Sequence, residues 1–160
     1  MLHWCLQTIR RVHMNRILTI CGLVNAEVFE QVSERMAEFC NEPALPVEVH
    51  INSRNGQFKY ISGVIKELEG NPFSVCCLAL EEVMGGPFLI LQRGKVRKAK
   101  RISRLVLNFP PQEHLRTFQK YYEDIAKRSG RTMEELQELD GECLTSQRAF
   151  DLGLLDEIVD

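Results

Sequence analysis

The sequence predicts an α/β fold built on a mostly parallel sheet. Three observations carry this. Strand-like and helix-like patterns alternate as β-α-β-α-β-α-β and then give way to helices, the order that parallel strands joined by right-handed crossovers produce. "FSVCCLAL" (73–80) is apolar at nearly every position, as a strand covered on both faces is. The breaks between patterns fall on turn-forming clusters, "NEPALP" (41–46), "SRNG" (53–56) and "GNP" (70–72).

Each element follows from its own signal. "RILTICGLV" (16–24) reads as a buried strand ending at Gly22. Asn25 then caps a helix in which Val28, Val32, Met36 and Phe39 recur at helical spacing through Cys40. "VEVHIN" (47–52) alternates as a strand does, and "SRNG" turns, with Gly56 able to supply a positive φ. "KYISGVIKELE" (59–69) is a second helix. "GGPFLILQR" (85–93) is a short buried helix with Pro87 near its first turn, where proline is tolerated. "VRKAKRISRLVLNF" (96–109) holds one or two strands. After Pro110 and Pro111 comes a long helix with Leu115, Phe118, Tyr122 and Ile125 on one face, stopped by Gly130. Thr132 and Glu135 form a capping box for a further short helix. "ECL" is a short strand at best, Thr145 or Ser146 caps "QRAFDLG", and "LLDEIV" closes the pattern.

Composition narrows the function classes. The 160 residues suit one domain with a proper core, and 44% apolar with 26% charged residues is ordinary for a globular protein. A net charge of −2 gives no general attraction to nucleic acid or membranes. No stretch approaches the length of apolar sequence that spans a bilayer. The six cysteines lack CxxC spacing and several sit in apolar runs, as free thiols of a reduced interior do. The four histidines are scattered, so neither a metal nor a cofactor is expected. The first 25 residues contain no acid and carry Arg10, Arg11 and Arg16. They read either as the tail of an organelle transit peptide or, the preferred reading, as a short basic lead-in over 1–15. Residues 16–160 then form one domain, in the cytoplasm or an organelle stroma or matrix.

"CCLALEEVMGGPFLIL" (76–91) is the segment closest to chemistry. A strand turning sharply into a helix is how serine hydrolases expose a nucleophile. Here the turn is assigned to Val83, which carries none. Glu81 and Glu82 precede it; neighbouring strand residues point to opposite faces, so the two do not converge on one substrate. They read as a solvated loop or a subunit contact. Seven basic residues, Arg93, Lys95, Arg97, Lys98, Lys100, Arg101 and Arg104, crowd the next segment. Without interleaved aromatics they are a poor single-strand-binding surface and read as a solvated strand pair or ion-pair surface.

"INSRNG" (51–56), "CCLALEEVMG" (76–85) and "LTSQRAFDLGLLDEIV" (144–159) resemble, in order and spacing, three blocks of the Clp protease proteolytic subunit family. "RILTICGLVNAEVFEQVSERMAEF" (16–39) is similar to that family's first strand and helix. The resemblance implies a ClpP/crotonase-like spiral of β-β-α units. It implies a serine peptidase with a Ser-His-Asp triad, inside a ring chamber fed by an AAA+ unfoldase. The nucleophile position falls on Val83 and the histidine position on Asn108. The aspartate position falls on Gly141, or on Asp140 with one gap. The oxyanion donors fall on the N–H groups of Gly56 and Met84. The interval after Asn108 is shorter than the family's, which makes the helix over 112–129 a shortened form of the handle that locks two rings together.

Valine cannot be acylated, and an amide is no base near neutral pH. Losing one triad member costs about 10⁶ in rate, and losing more costs little extra. The chain therefore resembles the noncatalytic R-type paralogues, whose partners would be itself, catalytic Clp subunits in a mixed ring, and an AAA+ unfoldase. Two other readings stand beside this one. One is an active serine peptidase with a displaced site, for which Ser53 and Ser103 are the serines near the relevant blocks. The other is a crotonase-like acyl-CoA enzyme, for which the chain is short and no adenine-binding signature is visible. A thiol enzyme built on Cys76 or Cys77 with Asn108 lacks a nearby base.

Overall fold

A computed structural model describes residues 16–160; the basic lead-in assigned to 1–15 lies outside the described residues. Seven strands form one sheet, with β1 (Ile17–Cys21), β2 (Val47–Ser53), β3 (Val75–Met84), β4 (Arg97–Lys100) and β7 (Glu157–Val159) side by side in that order. All four pairings along this path are parallel. β5 (Arg104–Val106) pairs parallel with β3, and β6 (Cys143–Thr145) pairs antiparallel with β5. The sheet is thus mostly parallel, as the alternating pattern predicts.

Strand alternation sorts the two faces. Leu18 and Ile20, Val49 and Ile51, Cys77 and Ala79, and Ala99 are buried. They pack in one core with Val32, Met36 and Phe39 of α1 (Ala26–Phe39) and with Ile61, Val64, Ile65 and Leu68 of α2 (Phe58–Glu69). The apolar residues 88–91 of α3 (Gly86–Leu91) complete that layer. On the opposite face one row runs Thr19, His50, Leu78, Lys98, Glu157 across five strands. There His50 Nε2 lies 2.8 Å from Glu48 Oε1.

The helix ends obey their caps. Asn25 accepts from the Val28 N–H at 3.1 Å. Thr132 and Glu135 form the expected box at the start of α5 (Met133–Glu138). Thr145 rather than Ser146 caps α6 (Ser146–Asp151), accepting from Arg148 N–H at 3.1 Å. Ser146 instead donates its hydroxyl to the Lys100 carbonyl at 2.6 Å. Arg16, at the foot of β1, is buried with its guanidinium donating to the carbonyls of Phe39, Leu45 and Pro46, so its charge is taken up by the main chain.

Two expectations change. β3 does not stop at residue 80 but continues to Met84, so Glu81, Glu82 and Val83 lie in the strand. It exchanges partners on the way: Cys77–Ala79 pair with β4 and Glu82–Met84 with β5. At that fork Ser103 donates its hydroxyl to the carbonyls of Ala79 and Leu80. Gly56 does not take a positive φ. It is required because the chain passes close to it: a Cβ there would lie 2.5 Å from Ile61 Cδ1 and 2.9 Å from Val24 Cβ.

The long helix α4 (Gln112–Ser129) buries Phe118, Tyr122 and Ile125 as expected, with Leu115 only half-buried. It is fastened to the body at both ends. The His114 ring stacks on Phe58 at 4.4 Å, and Arg128 donates to the carbonyls of Gln92, Gly94 and Lys95. Much of the basic run is paired within the chain. Arg97 is buried against Asp156, Arg93 pairs with Glu69 and Asp124, and Arg101 pairs with Asp160. Among the described residues, no helix is long and apolar enough to cross a membrane.

Candidate active site

The residue at the turn from β3 into α3 is Gly85, not Val83. Gly85 has φ 68° and ψ −127°, a backbone that L side chains rarely adopt. Its N–H donates to the Val106 carbonyl at 3.0 Å, and its own carbonyl accepts from Phe88 N–H. Val83 lies two residues earlier, fully buried in the strand between Ser53 of β2 and Leu105 of β5. Met84 is the last residue of the strand, paired with Val106. The helix that follows begins with Gly86.

Asn108 follows β5, and its exposed carboxamide lies between two glycines. A Cβ built on Gly85 would stand 3.7 Å from Asn108 Nδ2, and one on Gly141 would stand 3.9 Å from Asn108 Oδ1. The structure therefore aligns Gly85, Asn108 and Gly141, each within one side-chain length of the next. The main chain holds this line. Gly141 N–H donates to the Leu107 carbonyl at 2.9 Å, and Asp140 Oδ1 accepts from Phe109 N–H at 2.9 Å. Asp140 is thus engaged with the backbone beside Asn108. Tyr122 donates its hydroxyl to the Asn108 carbonyl at 2.6 Å and stacks on Phe109. Burial foremost, and then the Asp140 carboxylate, raise the Tyr122 phenol pKa, which keeps it a donor.

Gly56 and Gly86 flank Ile61, since a Cβ on either would fall within 3 Å of that side chain. The Gly56 N–H donates to Asn55 Oδ1 at 2.8 Å. Beside this loop is a cleft of about 450 Å³ whose lining includes Leu23, Asn52, Arg54, Glu81 and Glu82. An ion pair between Arg54 and Glu82 borders it, and Asn52 Oδ1 accepts from Glu82 N–H at 3.1 Å. Glu82 is therefore a strand residue tied to the next loop.

The other nucleophile candidates are engaged elsewhere. Ser53 is buried and donates to the carbonyls of Gly22 and Asn55. Ser103 is buried at the sheet fork. Burial first, with the neighbouring Cys76, pushes the Cys77 thiol up to about 12, far from the thiolate range.

Part of the signal for the turn at Gly85 was present in the sequence. Pro87 belongs in a helix's first turn, which points to a turn at Gly85 or Gly86 rather than at Val83. Block pairing alone leads instead to Val83.

No family model matches the chain, and no curated protein matches it. Among solved structures it is similar to the crystal structure of the ClpP protease catalytic domain from Plasmodium falciparum, with a TM-score of 0.82 and 16% sequence identity. That similarity covers 93% of this chain and 87% of the other. The chain has a ClpP-like fold.

Proposed function

We propose that the chain is a noncatalytic ClpP-like subunit, a pseudoenzyme that completes a ring with itself or with catalytic Clp subunits. We further propose that Gly85, rather than Val83, is the vacated nucleophile position. The line Gly85–Asn108–Gly141 carries the reading. It has the order of nucleophile, base and orienting acid, yet none of the three side chains can do that work. Glycine offers no nucleophile, and a carboxamide takes no proton near neutral pH. Asp140, the alternative acid, is bonded to the Phe109 amide. With Gly85 as the turn residue, the second oxyanion donor becomes the N–H of Gly86, because that donor belongs to the residue after the nucleophile. An AAA+ unfoldase is the proposed further partner, and the cytoplasm or an organelle stroma or matrix is the proposed compartment.

Restoring the three side chains tests this. The native chain is expected to be inert toward short fluorogenic peptides and toward a fluorophosphonate probe. The G85S/N108H/G141D triple variant is expected to gain both activities. Labelling of the native chain, or a gain from V83S in place of G85S, would contradict the assignment.

A further inference from the structure

We infer that Asn55 is a built-in plug of the oxyanion site, a second lock on catalysis independent of the missing triad. The inference rests on the reading of Gly85 and Gly86 as the vacated elbow. An oxyanion hole needs a free backbone N–H from the elbow and another from a facing loop. Gly56 and Gly86 are such a pair by position, each packed against Ile61. But the Gly56 N–H already donates to Asn55 Oδ1 at 2.8 Å, the distance at which a hole donor would hold a substrate oxygen. A single N–H cannot serve both acceptors at full strength, so the carboxamide oxygen stands in for the substrate oxygen.

The loop fixes the main chain from which this exposed side chain reaches the amide. The Asn55 carbonyl accepts from both Val24 N–H at 3.1 Å and Ser53 Oγ at 3.0 Å, and Ser53 is itself buried. The next residue's neighbour, Gln57, donates its N–H to the Val24 carbonyl at 3.0 Å. With the Asn55 backbone pinned on both sides, its side chain has little distance to cover to reach the adjacent amide. Beyond that amide, the Arg54–Glu82 ion pair ties the same loop to β3.

Two measurements test the plug. In the native chain the Gly56 amide is expected to be protected from hydrogen exchange, and N55A is expected to speed its exchange by about tenfold or more, while N55D retains protection. In the G85S/N108H/G141D background, N55A is expected to raise kcat by about tenfold or more with KM little changed, since a missing hole donor costs about 10²–10³ in kcat. N55D is expected to give no such gain, because it keeps the acceptor and adds a negative charge. Equal Gly56 exchange in native and N55A chains would overturn the plug, as would an unchanged kcat in an active background. If the restored background stays inactive with and without N55A, the elbow assignment fails, and the exchange measurement still decides whether Asn55 holds the amide.

Discussion

Asn108, whose carboxamide lies between Gly85 and Gly141, is the side chain on which the proposed reading turns. Its carboxamide sits where a base would reach both neighbours of the line, and its carbonyl is held by Tyr122. The sequence pairing places the histidine position on Asn108 and leaves the aspartate position open between Gly141 and Asp140, and the structure sets Asn108 beside Gly141. The pairing that leads to Val83 rests on the Met-Gly that follows it, whereas the strand runs on to Met84 and the chain turns at Gly85. V83S separates the two assignments by stability as well. Val83 is fully buried in the core, so replacing it with a hydroxyl is expected to cost about 2 kcal/mol or more in denaturant unfolding, without any gain of peptidase activity. A neutral effect on stability would mean that Val83 faces an open site.

β3 is the element on which the fold turns, since it pairs with β2, β4 and β5. Its first half was legible from continuous apolarity. Its second half was not, because Glu81 and Glu82 read as loop. The charges are tolerated because the strand parts from β2 there: β2 pairs Ile51 with Ala79 and next Ser53 with Val83, leaving the residues between at an opening. Ser103 satisfies the carbonyls at the fork on the other side. S103A is therefore expected to lower stability by about 1–2 kcal/mol, read by chemical denaturation. A similar tie holds β7, where Asp156 accepts from the side chain and the N–H of buried Arg97. Hydrogen bonding from Arg97 chiefly holds the Asp156 carboxyl below its ordinary value of 3.8. Its contribution is therefore complete above that ordinary value and is lost as pH falls through the lowered folded-state value. D156N, which leaves the Arg97 charge buried without its partner, is expected to cost about 2 kcal/mol at neutral pH. The deficit should narrow in acid, where wild type loses the same interaction; a deficit that stays constant to strongly acidic pH would contradict this.

At the scale of the whole molecule, the mostly parallel sheet was legible because strand and helix patterns alternate through the first part of the chain. The ClpP-like fold was legible through the resemblance carried by the blocks at 51–56, 76–85 and 144–159. The order of the strands was not legible, nor was the destination of the basic run. Its partners Glu69, Asp124, Asp156 and Asp160 lie far away in sequence, and only the packing brings them to Arg93, Arg97 and Arg101. With those charges paired inside the chain, the run offers less to an external acidic partner than its density suggests. The helix α4, bound at both ends to its own subunit, turns residues such as Arg116, Lys120, Glu123 and Lys127 outward. In the proposed ring assembly that polar surface would lie where rings could meet. Native mass measurement of the chain, alone and co-expressed with a triad-bearing Clp subunit from the same source, tests that assembly. The account predicts a ring that incorporates this chain beside the catalytic subunit, with peptidase activity that depends on the partner's triad and not on this chain's line. A chain that remains monomeric under both conditions, or a homogeneous assembly of it that cleaves peptides unaided, would contradict the account.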